Sequence, residues 1–237
     1  SEADILVALY FYKLKIDPKE PHWDNRDRFV LSKGHASPAY YAALAMKGFF
    51  DKKKLESFRK LGGLQGHPEL KTPGVDFAGG SLGQGVCFAN GLALAGKLDK
   101  KNYKVYVMIG DGESQEGSVW EAAMAASHHK LDNLVVILDN NQVQETGKTK
   151  DVMNINPAAD KWKAFGFEVF DIDGHNMEEI VNALDKADKV KEKPVMIVAN
   201  TIKGKGISFM ELNHKFHGKA PDDEQFEKAM KELSKND

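Results

Sequence analysis

Between residues 103 and 204 the chain alternates two kinds of pattern. Residues 103–110 (YKVYVMIG), 133–140 (NLVVILDN), 166–174 (GFEVFDIDG) and 194–204 (PVMIVANTIKG) are β-rich, and the first, second and fourth are nearly continuous in apolar residues. Such continuity predicts strands covered on both faces. Between them, residues 118–131 (SVWEAAMAASHHKL), 156–165 (NPAADKWKAF) and 176–190 (NMEEIVNALDKADKV) space their apolar positions as helices do. This βαβ series predicts an α/β fold, a doubly wound and mainly parallel sheet flanked by helices. Ligands of such sheets bind beyond the carboxyl ends of the strands. Those ends here carry Gly110-Asp111-Gly112, Asp139-Asn140-Asn141 and Lys203-Gly204-Lys205-Gly206.

The first hundred residues read as more helical, beginning with an amphipathic helix over 1–15. Three polar, glycine-rich segments interrupt them: 31–37 (LSKGHAS), 63–70 (GLQGHPEL) and 79–85 (GGSLGQG). The last opens 86–98 (VCFANGLALAGKL), whose small residues suit a closely packed helix. After residue 207 the pattern predicts a loop and then a charged helix that Asp222 or Asp223 caps, with a solvated lysine-rich end.

Composition narrows the classes. The 237 residues hold 33 Lys and Arg against 35 Asp and Glu, a net charge of -2 that offers no field to nucleic acid or to an anionic membrane. The one cysteine, Cys87, excludes an internal disulfide framework and agrees with a reducing compartment. No run approaches the roughly 18 apolar residues of a membrane span. A cytoplasmic protein acting on small molecules is expected.

The chemistry concentrates where the first apolar strand ends. A phosphate normally sits at such a strand-to-helix turn, but Asp111, with Glu113 and Glu116 close behind, would repel it. The dinucleotide fingerprint also fails, because Gln115 stands at its third glycine. Either the turn binds no phosphate or a cation lies between. Asn141 follows Asp111 by about one strand-helix-strand unit, so the two should flank one crevice and, with a nearby carbonyl, offer the hard oxygens of a Mg²⁺ or Ca²⁺ site. The plainer alternative makes Asp111 a turn residue and Asn141 a cap. Four histidines, His35, His67, His214 and His217, lie beside glycine or in loops, where an imidazole could serve a diphosphate or a sugar hydroxyl. Zinc fits less well, since no helical HxxxH pair is present and Cys87 sits in an apolar segment. His128 and His129 end a helix, where the dipole accounts for them. Glu116 in a first helical turn is either helix-stabilising or functional. The loop TIKGKG either cradles phosphate or is a solvated turn, and Trp120, Trp162 and Phe165 read as packing.

Taken together, LSKGHAS, GHPE, SLGQG, GDGESQEG, HHKLDNL and KGKGISFME followed by HGKAP resemble segments of the thiamine diphosphate-dependent transketolase family, in the family's order and across nearly the whole chain. The resemblance implies a single diphosphate-binding domain over 1–237, with 207–237 as its C-terminal loop and helix. It implies thiamine diphosphate and a divalent cation, Mg²⁺ or Ca²⁺, held by Asp111, Asn141 and the carbonyl of Val143. His35, Gly112 and His214 match positions at the diphosphate end, and Gly80, Ser81 and Leu82 match the segment against the aminopyrimidine. His67 matches a histidine near the reactive thiazolium carbon, and His217 is a further member of the catalytic set. Glu116 matches a subunit-interface glutamate that pairs with the partner's cofactor-activating glutamate.

Family members are far longer, because a second domain binds the aminopyrimidine. The resemblance therefore implies the N-terminal subunit of a split, two-chain transketolase, completed by a separate C-terminal subunit in a hetero-oligomer of two copies each and acting on sugar phosphates. The sequence begins after the SGHPG-like segment that usually precedes the first helix in the family, which is either trimmed or absent from this member, and VQETG departs from the family at Glu145 and Thr146. The alternatives are an enzyme like 1-deoxyxylulose-5-phosphate synthase, whose sequence after GDG usually lacks QEG, and a non-catalytic cofactor-binding subunit.

Overall fold

A computed structural model describes residues 1–234. The last three residues of the expected lysine-rich end lie outside the described residues. Five strands form one parallel sheet: β1 (Arg28–Leu31), β2 (Val105–Gly110), β3 (Leu134–Asn140), β6 (Glu168–Asp173) and β7 (Val195–Asn200), in the order β1-β2-β3-β7-β6. Between β3 and β6 the chain makes a small antiparallel hairpin, β4 (Val143–Gln144) with β5 (Gly147–Lys148). The four strands expected from the apolar runs are all present. The fourth stops at Asn200, so the TIKG that follows lies beyond the sheet.

β1 is not among the elements that the pattern predicts, and the reason is its length. Four residues, starting with an arginine, are too few to declare a period. It forms because Phe29, Val30 and Leu31 complete the two faces that β2 presents, in register with Tyr106, Val107 and Met108. The hairpin β4–β5 is shorter still and also escapes the pattern.

Side chains alternate between two cores, as a strand period of two requires. On one face Phe29, Leu31, Tyr106, Met108, Val135, Ile137, Val195 and Ile197 pack against α1 (Ala3–Ala8), α2 (Ser37–Lys47) and α7 (Met177–Ala187). On the other Val30, Val105, Val107, Ile109, Val136, Leu138, Met196 and Val198 meet α3 (Gln84–Leu98), α4 (Gly117–His128) and α6 (Ala158–Ala164). Each fully buried Val, Leu or Ile contributes roughly 1.5–3 kcal/mol. Both faces of β2 and β3 are covered, which is why those runs are apolar without alternation.

The N-terminal segment is helical as expected, though its last turn, Leu9–Lys13, widens to a π-helix. Lys13 there bonds Asp185 and Asp188, at 2.8 and 2.6 Å, on and just beyond α7. Asn176 caps α7 by accepting from the amides of Glu178 and Glu179. A four-residue α5 (Thr149–Val152) follows the hairpin. The charged C-terminal helix is α8 (Asp223–Leu233), capped by Asp222 in a reciprocal capping box with Gln225. Among the described residues no helix is long and apolar enough to cross a membrane.

The small residues of α3 have a geometric cause. A Cβ on Gly85 would lie 2.5 Å from Ser32 Oγ and 2.6 Å from Ser32 Cα, whereas one on Gly91 would meet nothing within 4 Å. The start of α3 is thus pressed against the end of β1, whereas Gly91 lies on an exposed face of the helix. Gly85→Ala is expected to cost about 1–3 kcal/mol, and Gly91→Ala to gain about 0.4–1 kcal/mol. Urea unfolding of the two variants checks this; equal stabilities would mean that α3 shifts freely over β1.

Candidate functional site

The carboxyl ends of β1, β2, β3 and β7 deliver their loops to one crevice, and Glu113 ties three segments there. It follows the glycine turn after β2 and is buried at 2% exposure. Its Oε1 accepts from Ser32 Oγ, after β1, and from the Gly83 amide at 2.8 Å, before α3. Its Oε2 accepts from the Gly110 amide at 3.1 Å. Burial raises its pKa, and the three donors oppose that rise. Gly83 reaches this position with φ +79°, and a Cβ there would strike Ser118 Oγ at 2.3 Å. In the sequence Glu113 stands out only as a nearby acid.

Asp111 is equally buried, which pushes its pKa up. Thr149 Oγ1 donates to its Oδ2 at 2.9 Å and the Gly112 amide to its Oδ1 at 2.7 Å, both opposing the rise. Asn141 lies beyond the neighbouring strand, as the sequence spacing requires. Its amide, however, is turned into its own surroundings: Oδ1 accepts from the Val143 amide at 3.1 Å, and Nδ2 donates to Asp139 Oδ2 at 3.1 Å. Asp111, Asn141 and the Val143 carbonyl are thus gathered by two adjacent strand ends, without a direct hydrogen bond between the two side chains.

Asp139 belongs to a buried ion cluster that no motif in the sequence announces. Lys33 Nζ lies 2.5 Å from Asp139 and 2.7 Å from Glu2. Burial alone would lower the Lys33 pKa, but the two carboxylates outweigh it and hold it above the usual value. Burial likewise works to raise Asp139, yet Lys33 and a 2.5 Å bond from Thr201 hold it below the carboxylate range. Lys33 is therefore neutralised within the protein. Lys203, on the TIKGKG loop, is half-buried, and its ammonium has no hydrogen-bond or ion-pair partner among the described residues; burial and the charge of Lys33 lower its pKa.

The histidines divide. His35 stacks on His217 with ring centroids 5.0 Å apart and planes 26° apart. Burial first, and then neighbouring positive charge, pushes both down to about 4, so both are neutral near pH 7. The Nδ1 of His217 is buried without a hydrogen-bond partner. In the turn that Asn213 caps, His214 is exposed at the start, and His217 at the end is the ring that reaches His35. His67 lies over Gly34 and Gly80, within 3.3 Å of a Cβ placed on either. Ser37 and Tyr41 of α2 hold its loop by bonds to the carbonyls of Gly66, Gln65 and His67. Gly80 and Ser81 are exposed, and Leu82 is half-buried between them and Gly83. Glu116 immediately precedes α4, not within its first turn, with an exposed carboxylate that has no partner among the described residues.

The donor set bears on what the crevice would hold. Among the described residues no three His, Cys, Asp or Glu side chains gather as metal ligands. Asp111, Asn141 and the Val143 carbonyl supply only hard oxygens, too few for a closed site, which fits Mg²⁺ or Ca²⁺ completed by ligand oxygens. The free Lys203 ammonium and the orphaned His217 nitrogen fit an anion beside that cation.

A family model described as transketolase, thiamine diphosphate binding domain, matches residues 1–236. The chain belongs to the transketolase family. Two transketolase relatives are subunits of similar size. An apulose-4-phosphate transketolase subunit of Phocaeicola vulgatus is 43% identical over 232 residues, covering 98% of this chain and 83% of the relative. The 6-deoxy-6-sulfo-D-fructose transketolase subunit SqwG of Clostridium sp. (strain MSTE9) is 47% identical over 237 residues, covering 99% and 86%. The crystal structure of transketolase from Campylobacter jejuni superposes with TM-score 0.90 at 40% identity, over 97% of this chain and 37% of that one. The chain therefore spans little more than a third of that solved transketolase. Both subunit relatives are transketolases, which favours that reading over the synthase alternative.

The histidine stack gives a pH prediction with a definite sign. Both folded-state values lie below the ordinary 6.5, so the unfolded chain binds more protons between pH 6.5 and 4. The pair's contribution to stability is present above pH 6.5 and is lost as pH falls towards 4. Asp111 and Glu113 have the opposite sign, so the comparison is with a His35→Asn, His217→Asn double variant. The stability gap between wild type and variant should narrow as pH falls from 6.5 to 4 in denaturant titrations; a constant gap would refute the neutral stack.

Proposed function

We propose that this chain is the diphosphate-binding subunit of a two-chain transketolase. The reading rests above all on one observation: a buried carboxylate, Asp111, a half-buried lysine whose ammonium has no partner, Lys203, and a buried, unpartnered imidazole nitrogen of His217 collect close enough to feel one another's charge. A ligand that is itself an anion carrying a cation satisfies all three. Thiamine diphosphate with Mg²⁺ is such a ligand, and when bound it supplies the electron sink for cleaving and forming the ketose carbon–carbon bond.

The chain's own residues take the following roles. Asp111, the Asn141 amide oxygen and the Val143 carbonyl hold the cation. Lys203, the Gly112 turn and the His35–His217 pair receive the diphosphate. Gly80, Ser81 and Leu82 line the approach to the ring portion of the cofactor, and His67 stands over them to orient donor hydroxyls. With pKa values near 4, His35 and His217 act as neutral donors and acceptors rather than as charges. Glu116 faces outward and meets a glutamate of the pyrimidine-binding partner. The hetero-oligomer has two copies of each subunit, and His214 lies on its exposed rim.

The sugars in the relatives' names, apulose 4-phosphate and 6-deoxy-6-sulfo-D-fructose, both carry an anionic group. The donor here is accordingly a ketose with a phosphate or sulfonate tail. A two-carbon ketol unit passes from it to an aldose phosphate.

Asp111→Ala is expected to abolish binding of thiamine diphosphate with Mg²⁺ by the assembled complex in calorimetric titration. Unchanged affinity would overturn the cation assignment. The chain alone should have no ketol transfer activity and should gain it on mixing with a C-terminal transketolase subunit, assayed with fructose 6-phosphate, xylulose 5-phosphate and a sulfonated ketose. Full activity of the isolated chain would overturn the two-chain reading.

A further inference from the structure

The strand ends bring Asp111 and the 141–143 turn together, and the Gln142 amide itself lies against the Asp111 carboxylate. Thr149 fastens both. It opens α5, is 5% exposed, and donates its hydroxyl to Asp111 Oδ2 at 2.9 Å. Its backbone amide donates to the Gln142 carbonyl at 3.0 Å. Gln142 lies between Asn141 and Val143 with φ +69°, a conformation unfavourable for a side-chain-bearing residue and in need of support from its surroundings. Its own side chain donates to the Thr201 carbonyl at 3.3 Å. The side chain of Thr149 thus holds the carboxylate, and its main chain holds the turn that carries the other two oxygens.

The geometry at Asp111 leaves room for a cation. The Gly112 amide occupies Oδ1, Thr149 occupies Oδ2, and the Gln142 amide also acts on the carboxylate. A carboxylate offers about four acceptor positions, so one stays open for a cation while the donors prevent rotation. The segment carrying Thr149 is fastened again by Gln115, whose Nε2 donates to Gln144 Oε1 at 2.7 Å and to the Met153 carbonyl at 2.8 Å. All of these bonds are made within the protein.

We propose that Thr149 is a positioning residue for the cation, fixing the Asp111 carboxylate and the 141–143 turn in one preorganised geometry. The inference rests on the proposed Asp111, Asn141 and Val143 cation set. Groups that orient metal ligands typically change affinity 10–100-fold when removed.

Manganese, a paramagnetic stand-in for magnesium, tests this by electron paramagnetic resonance. It is titrated into the full chain assembled with its partner subunit, in the presence of thiamine diphosphate. Thr149→Val, which removes the hydroxyl and keeps the backbone bond, should weaken manganese binding about tenfold or more. Thr149→Ser should restore affinity to within about threefold of wild type, a rescue that a purely packing role would not produce. Thr149→Ala replaces the valine variant if that one does not fold, and Asp111→Asn is measured alongside. Wild-type affinity in Thr149→Val with loss in Asp111→Asn would overturn the positioning role alone. Wild-type affinity in both would overturn the cation set itself.

Discussion

One buried carboxylate organises the crevice. Glu113 receives donors from the exit of β1, the entry of α3 and the exit of β2. A buried donor left without an acceptor costs roughly 1–3 kcal/mol, so the three segments are bound to one another through a single side chain. What they carry is the site. Lys33 and His35 follow Ser32, Gly80 to Leu82 precede Gly83, and Asp111 follows Gly110.

Charge is then sorted around that frame. Lys33 is consumed by Asp139 and Glu2 inside the protein, and the His35–His217 stack is neutral because burial disfavours its protonation. Lys203 remains as the half-buried cation without a partner among the described residues, and Asp111 as a buried carboxylate with free lone pairs. The acids crowded after β2 therefore do not act together against a phosphate. Glu113 is spent on architecture, Asp111 is buried without an ion-pair partner among the described residues, and Glu116 is exposed.

Legibility followed periodicity. β2, β3 and β7 could be read because both faces are buried and their apolar runs are continuous, and β6 from its β-rich run. β1, with four residues, carries no period, and the position of β7 between β3 and β6 leaves no trace in local sequence. In the site, the spacing of Asp111 and Asn141 foretold adjacent strand ends correctly. It did not foretell that the Asn141 amide oxygen would accept from the Val143 amide, nor that His217 rather than His214 would meet His35. Thr149 had no signal at all, being one polar residue in a polar stretch.

By itself the sequence determined the alternation of strands and helices, the parallel class of the sheet, and the end of the sheet at which polar chemistry collects. Those follow from local periodicity and from the chirality of βαβ connections, which hold whatever the neighbours are. Only the tertiary structure decided which carboxylate is structural, which lysine is left unneutralised and which histidine is stacked. Those properties are set by burial and by partners distant in the chain, such as Ser32 for Glu113, Asp139 for Lys33 and His35 for His217. Burial and distant partners are quantities that no local window of residues contains.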